Sequence, residues 1–192
     1  MSEQLRVVVD GSAVPRNPSG AGRYVIELAA ALGQRGDVEI TLLSRRGDEA
    51  WWRQLTAATD VAAVAPRSRP ARLAWEQVAM ARALRRLGPD VHHGPHYTMP
   101  ERFRGPVVVT IHDLTFFDHP EWHETAKARF FQRATRVAAE RATALVCVSN
   151  TTAERLKAIL SPRAAVHPIT GGAAPGNAPI SVQSAVRVFN GV

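Results

Sequence analysis

Short apolar runs recur along this chain, each followed by a polar loop and then by a longer stretch of helical character. Residues 5–10, 38–43, 61–64, 90–93, 107–111 and 145–148 are such runs, rich in Val, Leu and Ile. A strand buried on both faces reads this way, because helices cover the two sides of a parallel sheet. Between the runs, residues 24–32, 48–58, 71–87, 123–141 and 151–160 read as helices. Gly33 and Gly36 stop the first, Gly88-Pro89 stops the third, and Thr151 with Glu154 has capping-box spacing at the start of the last. Strand and helix in alternation predict an α/β fold, a doubly wound parallel sheet. Ligands of such sheets sit beyond the carboxyl ends of the strands, which singles out the loops after Asp10, Val91 and Ile111.

A chain of 192 residues suffices for one α/β domain and is short for two. From Ser161 onward Pro162, Pro168, Gly171, Gly172, Pro175, Gly176 and Pro179 break regular structure, so residues 161–192 read as a linker or atypical tail, with residues 182–189 a candidate terminal strand. Cys147 is the only cysteine, which excludes an intrachain disulfide; flanked by apolar residues, it reads as a buried strand thiol. No segment has the length of a membrane span, and the N-terminus lacks the pattern of a signal peptide. These features predict a cytoplasmic protein, peripheral at most to the inner face of a membrane.

The net charge of +7 is carried almost wholly by arginine, since Lys127 and Lys157 are the only lysines. Guanidinium forks favour phosphorylated ligands or an anionic lipid surface. Aromatic residues do not interleave with the basic ones, which speaks against nucleic acid. The helix at 71–87 carries Arg72, Arg82, Arg85 and Arg86 beside an imperfect apolar face of Leu73, Val78, Ala81 and Leu84; it reads either as a helix lying on anionic lipid or as an ordinary basic solvated face.

Three loops carry the candidate chemistry. Gly20, Gly22 and Arg23 precede a helix, where small residues let backbone N–H groups approach an anion and Arg23 can pair with a phosphate oxygen; a flexible turn at a helix start reads the same way. The spacing is not the dinucleotide fingerprint and lacks the P-loop lysine, which sets an NAD-dependent oxidoreductase aside. His92, His93 and His96 invite a metal, but no cysteine or second cluster accompanies them, so the stretch through Tyr97 reads as a polar loop lining a ligand cleft. His112 and Asp113 directly follow the apolar run 107–111. There a polar side chain can face a ligand from a rigid support, His112 as a hydrogen-bond donor and Asp113 as its orienting partner. Alternatively Asp113 caps the next turn and His112 is a satisfied, half-buried histidine. Downstream, Asp118 and Glu121 offer an acid/base pair or two solvated carboxylates, and Ser149 lies outside any nucleophile elbow.

Taken in order, Val9–Gly11 with Gly20–Tyr24, Trp75–Gln77, Asp90–Tyr97, Thr110–Trp122 and Val148–Thr151 resemble the N-terminal domain of the family-four, mannosyltransferase-like glycosyltransferases. The match covers roughly residues 5 to 160, and the His-Asp-Leu block with the downstream His-Pro-Glu-Trp is its most specific part. The resemblance implies a Rossmann-like domain over residues 1–160, the acceptor-side half of a GT-B fold whose C-terminal donor-binding half is absent from this chain. It implies a retaining transfer of a sugar, often mannose from GDP-mannose, to a glycan or lipid-linked acceptor, with no metal and no other cofactor. It places His112 near the reacting sugar and Gly20, Gly22 and Arg23 at the donor diphosphate; beside them Asp113 is expected as a catalytic partner of His112, and His96, Tyr97 and Glu121 as substrate-binding residues. The alternative is a stand-alone module that binds acceptor or anionic lipid without catalysis.

Overall fold

The computed structural model describes residues 4–56 and 60–169. The described residues gather into two compact units, the first holding those up to 95 together with 100–106, the second holding 96–99 together with those from 107 onward. The candidate strand at 182–189 and the remainder of the tail beyond residue 169 lie outside the described residues.

The first unit holds β1 (Leu5–Asp10), α1 (Ala21–Gly33), β2 (Val38–Arg45), α2 (Glu49–Leu55), β3 (Asp60–Ala65), α3 (Arg69–Val78), α4 (Met80–Leu87) and β4 (Val91–Gly94). Its strands are parallel in the order β3-β2-β1-β4. The order runs outward from β1 in one direction and then resumes on its other side, so a topological switch point lies between β1 and β4. Leu28, Leu32, Leu42 and Leu43 are fully buried. Each such side chain contributes about 1.5–3 kcal/mol relative to exposure. Trp52 of α2 packs against the loop after β1, where a Cβ on Gly11 would stand 2.7 Å from its ring.

The predicted helix at 71–87 is two helices. Ala79 closes α3 through its N–H to the Trp75 carbonyl, and its own carbonyl opens α4 by accepting from Arg82 and Ala83. The interruption re-phases the buried face: Met80, Ala81 and Leu84 turn inward while Val78 is 63% exposed.

The second unit holds β5 (Val107–Ile111), α5 (Thr115–Asp118), a 3-10 turn (Pro120–Trp122), α6 (Thr125–Arg141), β6 (Ala144–Cys147), α7 (Asn150–Leu160) and β7 (Ala165–Pro168). Its strands are parallel in the order β5-β6-β7. Strand β7 corrects the reading of a linker from Ser161. The run is too short and too proline-marked to announce itself, yet Leu145 and Val146 of β6 pair with Val166 and His167. The start of α7 is also corrected: Ser149, not Thr151, is its cap, its Oγ accepting from the Thr152 N–H at 3.1 Å. Cys147 is buried in β6, and that burial pushes its thiol up to about 12, so it is inert at neutral pH.

Candidate active site

In the second unit the site is built at the carboxyl end of β5. All five residues of β5 are buried, so the backbone that delivers His112 and Asp113 is rigid. Residues 96–99 lie alongside, tied to β5 by the Tyr97 N–H on the Thr110 carbonyl at 3.1 Å.

Asp113 anchors a hydrogen-bond chain. Its Oδ1 accepts from the Thr115 backbone N–H at 2.9 Å and from the Thr115 hydroxyl at 2.6 Å. Its Oδ2 accepts from the Tyr97 hydroxyl at 2.8 Å, and that hydroxyl in turn accepts from the Asp113 N–H at 3.2 Å. The Thr115 hydroxyl has given its one proton to Asp113, so at the 3.0 Å contact with His123 the imidazole Nε2–H donates and Thr115 Oγ1 accepts. Burial pushes the Asp113 carboxyl upward, but the hydrogen bonds from Thr115 and Tyr97 and the nearby His112 outweigh it and hold the group below its ordinary range. Asp113 is therefore ionised and already committed to three donors. It positions its neighbours and is in no state to act as a nucleophile.

Tyr97 is held from several sides. Its φ of 62° is in the left-handed region, uncommon for a bulky residue and worth of order 1–3 kcal/mol of strain. Edge-on contacts with Phe116 at 5.8 Å and Phe131 at 5.3 Å, together with the bond to Asp113, hold it there. Burial, reinforced by the Asp113 charge, raises the phenol, so Tyr97 stays protonated. Tyr97→Phe is expected to cost about 1–3 kcal/mol of unfolding free energy, because it leaves Asp113 Oδ2 and the Asp113 N–H without their partner. Urea unfolding of the two proteins measures it, and equal midpoints would refute it.

His112 is half-buried, with its ring 5.6 Å from that of His96 and 5.7 Å from that of Tyr97. The arrangement can present an imidazole edge, as donor or acceptor, from a fixed support. The structure thus brings together four residues singled out from sequence, His96, Tyr97, His112 and Asp113. It adds Thr115 and His123, which sequence reasoning missed. Thr115 stands two residues after Asp113, the spacing of an Asx-turn, and that signal was there to be found. His123 is joined only through the fold.

The other candidates stand elsewhere. Glu121 is exposed on the 3-10 turn and meets His119 Nδ1 at 3.2 Å. Asp118 accepts Arg155 Nε at 2.9 Å and Nη2 at 2.5 Å, so the two carboxylates are separately engaged and form no acid/base pair. Gly20, Gly22 and Arg23 belong to the first unit. Gly20 is exposed with φ 44°, and Arg23 is exposed at the first turn of α1. The Gly22 N–H is turned to the Ser19 carbonyl at 2.9 Å, and a Cβ there would stand 3.1 Å from Pro18 Cβ, so Gly22 serves close packing. Also in the first unit, His92 Nδ1 meets the Val8 carbonyl at 3.0 Å, and the ring is buried. Among the described residues no group of three or more His, Cys, Asp and Glu side chains is placed to hold a metal ion.

Parallel strands and a topological switch point define a Rossmann-like α/β fold. The family model described as Glycosyltransferase Family 4 matches residues 18–174, and the chain belongs to that family. The O-antigen chain mannosyltransferase B of Escherichia coli is 30% identical over 81 residues, 42% of this chain and 19% of that protein. Among solved structures, sucrose-phosphate synthase from Thermosynechococcus elongatus is similar with a TM-score of 0.64 at 14% identity, over 88% of this chain and 49% of that one. A protein described as a UDP-N-acetylglucosamine 2-epimerase from Listeria monocytogenes gives a TM-score of 0.60 at 11% identity, over 86% and 45%. At such identities the two structures speak for the fold alone. The chain spans about half the length of either and a smaller share of the mannosyltransferase.

Proposed function

We propose that this chain is the acceptor-side half of a retaining GT-B glycosyltransferase, moving a sugar, with mannose the first choice, from a nucleotide sugar such as GDP-mannose to a glycan or lipid-linked acceptor. The observation that carries this reading is the imidazole of His112, supported at the end of β5 by His96 and Tyr97 in a chain of this family. The likeness to a mannosyltransferase favours the sugar. In this reading His112 donates a hydrogen bond to the reacting sugar, where charge develops as the diphosphate departs. Asp113, through Tyr97 and Thr115, keeps the surrounding loop in place. Gly20 and Arg23 approach the diphosphate, His96, Tyr97 and Glu121 contribute to substrate binding, and a second half outside this chain supplies most of the donor site. The reaction draws on positioned charge and needs no resident metal ion or other cofactor.

No helix among the described residues is long and apolar enough to cross a membrane. We place the protein in the cytoplasm, where nucleotide sugars are at hand, and peripheral to the inner membrane when its acceptor is lipid-linked. A second reading, a binding module for acceptor or anionic lipid, is favoured by the exposed Val78 and Leu87 on the arginine-bearing helices α3 and α4.

The test is transfer of labelled mannose from GDP-mannose to a polyprenyl-linked glycan, by this chain alone and by the chain joined to a family-four donor half. The chain alone is expected to give no transfer and the joined protein measurable turnover. Robust turnover by the chain alone would overturn the division of labour. Salt-sensitive binding to anionic vesicles, with no transfer by the joined protein, would select the second reading.

A further inference from the structure

We propose that a recess lined by Pro15, Arg16, Arg45, Asp48 and Arg67, in the first unit, is a binding site for a phosphate group. The cavity is about 240 Å³. That is below the usual range for a drug-sized ligand and suited to a phosphate with a few attached atoms.

Its construction begins with β2. The register of β2 against β3 shifts between Ser44 and Arg45, an irregularity of the kind that re-aims a side chain at a sheet's end. The chain then turns sharply, with the Asp48 N–H on the Arg45 carbonyl at 3.1 Å and Gly47 at φ 85°, a conformation that favours glycine. The turn sets Asp48 between two guanidinium groups. Asp48 Oδ1 accepts Arg16 Nε at 3.3 Å and Nη2 at 3.0 Å, and Oδ2 accepts Arg45 Nε at 2.8 Å. Arg45 Nη2 also donates to the Val14 carbonyl at 2.8 Å, and Arg16 Nη2 to that of Gly47 at 3.3 Å. Arg67, just past β3, completes the lining; a Cβ on Gly47 would stand 3.6 Å from its Nη1.

Asp48 is buried, with its side chain 6% exposed. Burial pushes its carboxyl upward, and the hydrogen bonds and charges of Arg16 and Arg45 more than reverse this, leaving it ionised. One buried carboxylate thus pairs with Arg16 and Arg45, and Arg67 shares the same lining, a local surplus of positive charge that a bound anion would offset. The Nη1 groups of Arg16 and Arg45 take no part in these bonds, and Arg67 makes no hydrogen bond or ion pair with another described residue. These arginines line one small recess, and their N–H groups not used in the bonds above are available to an oxyanion. Guanidinium forks and a phosphate's several oxygens match in charge and geometry. The phosphate can belong to a soluble sugar phosphate or to a lipid headgroup, and the chemistry of recognition is the same. This goes beyond the transferase reading and does not rest on it, because the readout is binding without turnover.

The test is calorimetric titration of the full chain with inorganic phosphate, a hexose phosphate, the unphosphorylated hexose and phosphatidylglycerol vesicles. Saturable binding of inorganic phosphate and of the hexose phosphate is expected, weakened by salt, with no response to the neutral hexose. Arg67→Gln removes a group that makes no hydrogen bond with the other described residues and is expected to weaken phosphate binding about tenfold. Arg129→Gln, exposed on α6 and outside every site described above, is expected to leave it unchanged. Vesicle binding with the same dependence on Arg67 identifies a lipid headgroup as the source, and its absence a soluble phosphate; either supports the site. Absence of phosphate binding, or equal binding by wild type, Arg67→Gln and Arg16→Gln, overturns it.

Discussion

Replacing His112 by alanine in the chain joined to a family-four donor half is expected to lower turnover by about 10²–10⁴-fold, the usual contribution of a positioned acid, base or donor. If His112 acts as proposed, on charge that develops as the diphosphate leaves, the fall should appear in kcat more than in KM. Stability should change little. His112 is half-buried, and the hydrogen bonds that hold the surrounding loop run through Asp113, Tyr97 and Thr115. Steady-state kinetics together with urea unfolding of both proteins separate the two roles. An unchanged kcat would make His112 a structural histidine, and the proposed transferase site would have to be sought elsewhere.

A second large effect should come from pH and concerns the first unit. Burial draws His92 down to about 4, against the pull of Asp10 and of the bond to the Val8 carbonyl. The folded ring is therefore neutral at pH 7, with its proton on Nδ1 facing Val8. In the unfolded chain the same ring takes up a proton near pH 6.5. Between about pH 6.5 and about 4 the unfolded state holds the extra proton, so stability falls as the solution is acidified. The full loss, reached below the folded value, is about 3 kcal/mol. Unfolding free energies measured from pH 7.5 to 4 should show this slope in the wild type and lose it in His92→Leu, whatever the variant's absolute stability. Parallel curves would refute the assignment.

Much of the fold was legible because buried parallel strands are written as local runs. Residues 107–111 were placed to the residue, and β1 likewise, since each is a block of apolar residues bounded by turn formers. The break at Ala79 was not legible: no glycine or proline marks it, and what separates α3 from α4 is which side chains find a core. Strand β7 was hidden because four residues ending in proline become a strand only when β6 offers its edge. The site divides in the same way. His112 and Asp113 are neighbours in the chain and could be seen together. Tyr97 reaches Asp113 across 16 positions, and His123 reaches Thr115 across 8, contacts that no local pattern records.

The strand order of the first unit also bears on how the protein is made. β1 emerges first, finds β2 soon after, and must wait for β4 before its other side is covered, because Arg6 meets Asp90 and Val8 meets His92 across 84 positions. At a synthesis rate of roughly 5–20 residues per second, the interval between completing β2 and completing β4 is a few seconds. During that time the nascent polypeptide carries the open flank of an apolar Val-Val-Val strand, the kind of surface a ribosome-associated chaperone shields. The yield of this protein in a cell should therefore depend on how quickly the ribosome passes through the codons between Arg45 and Gly94.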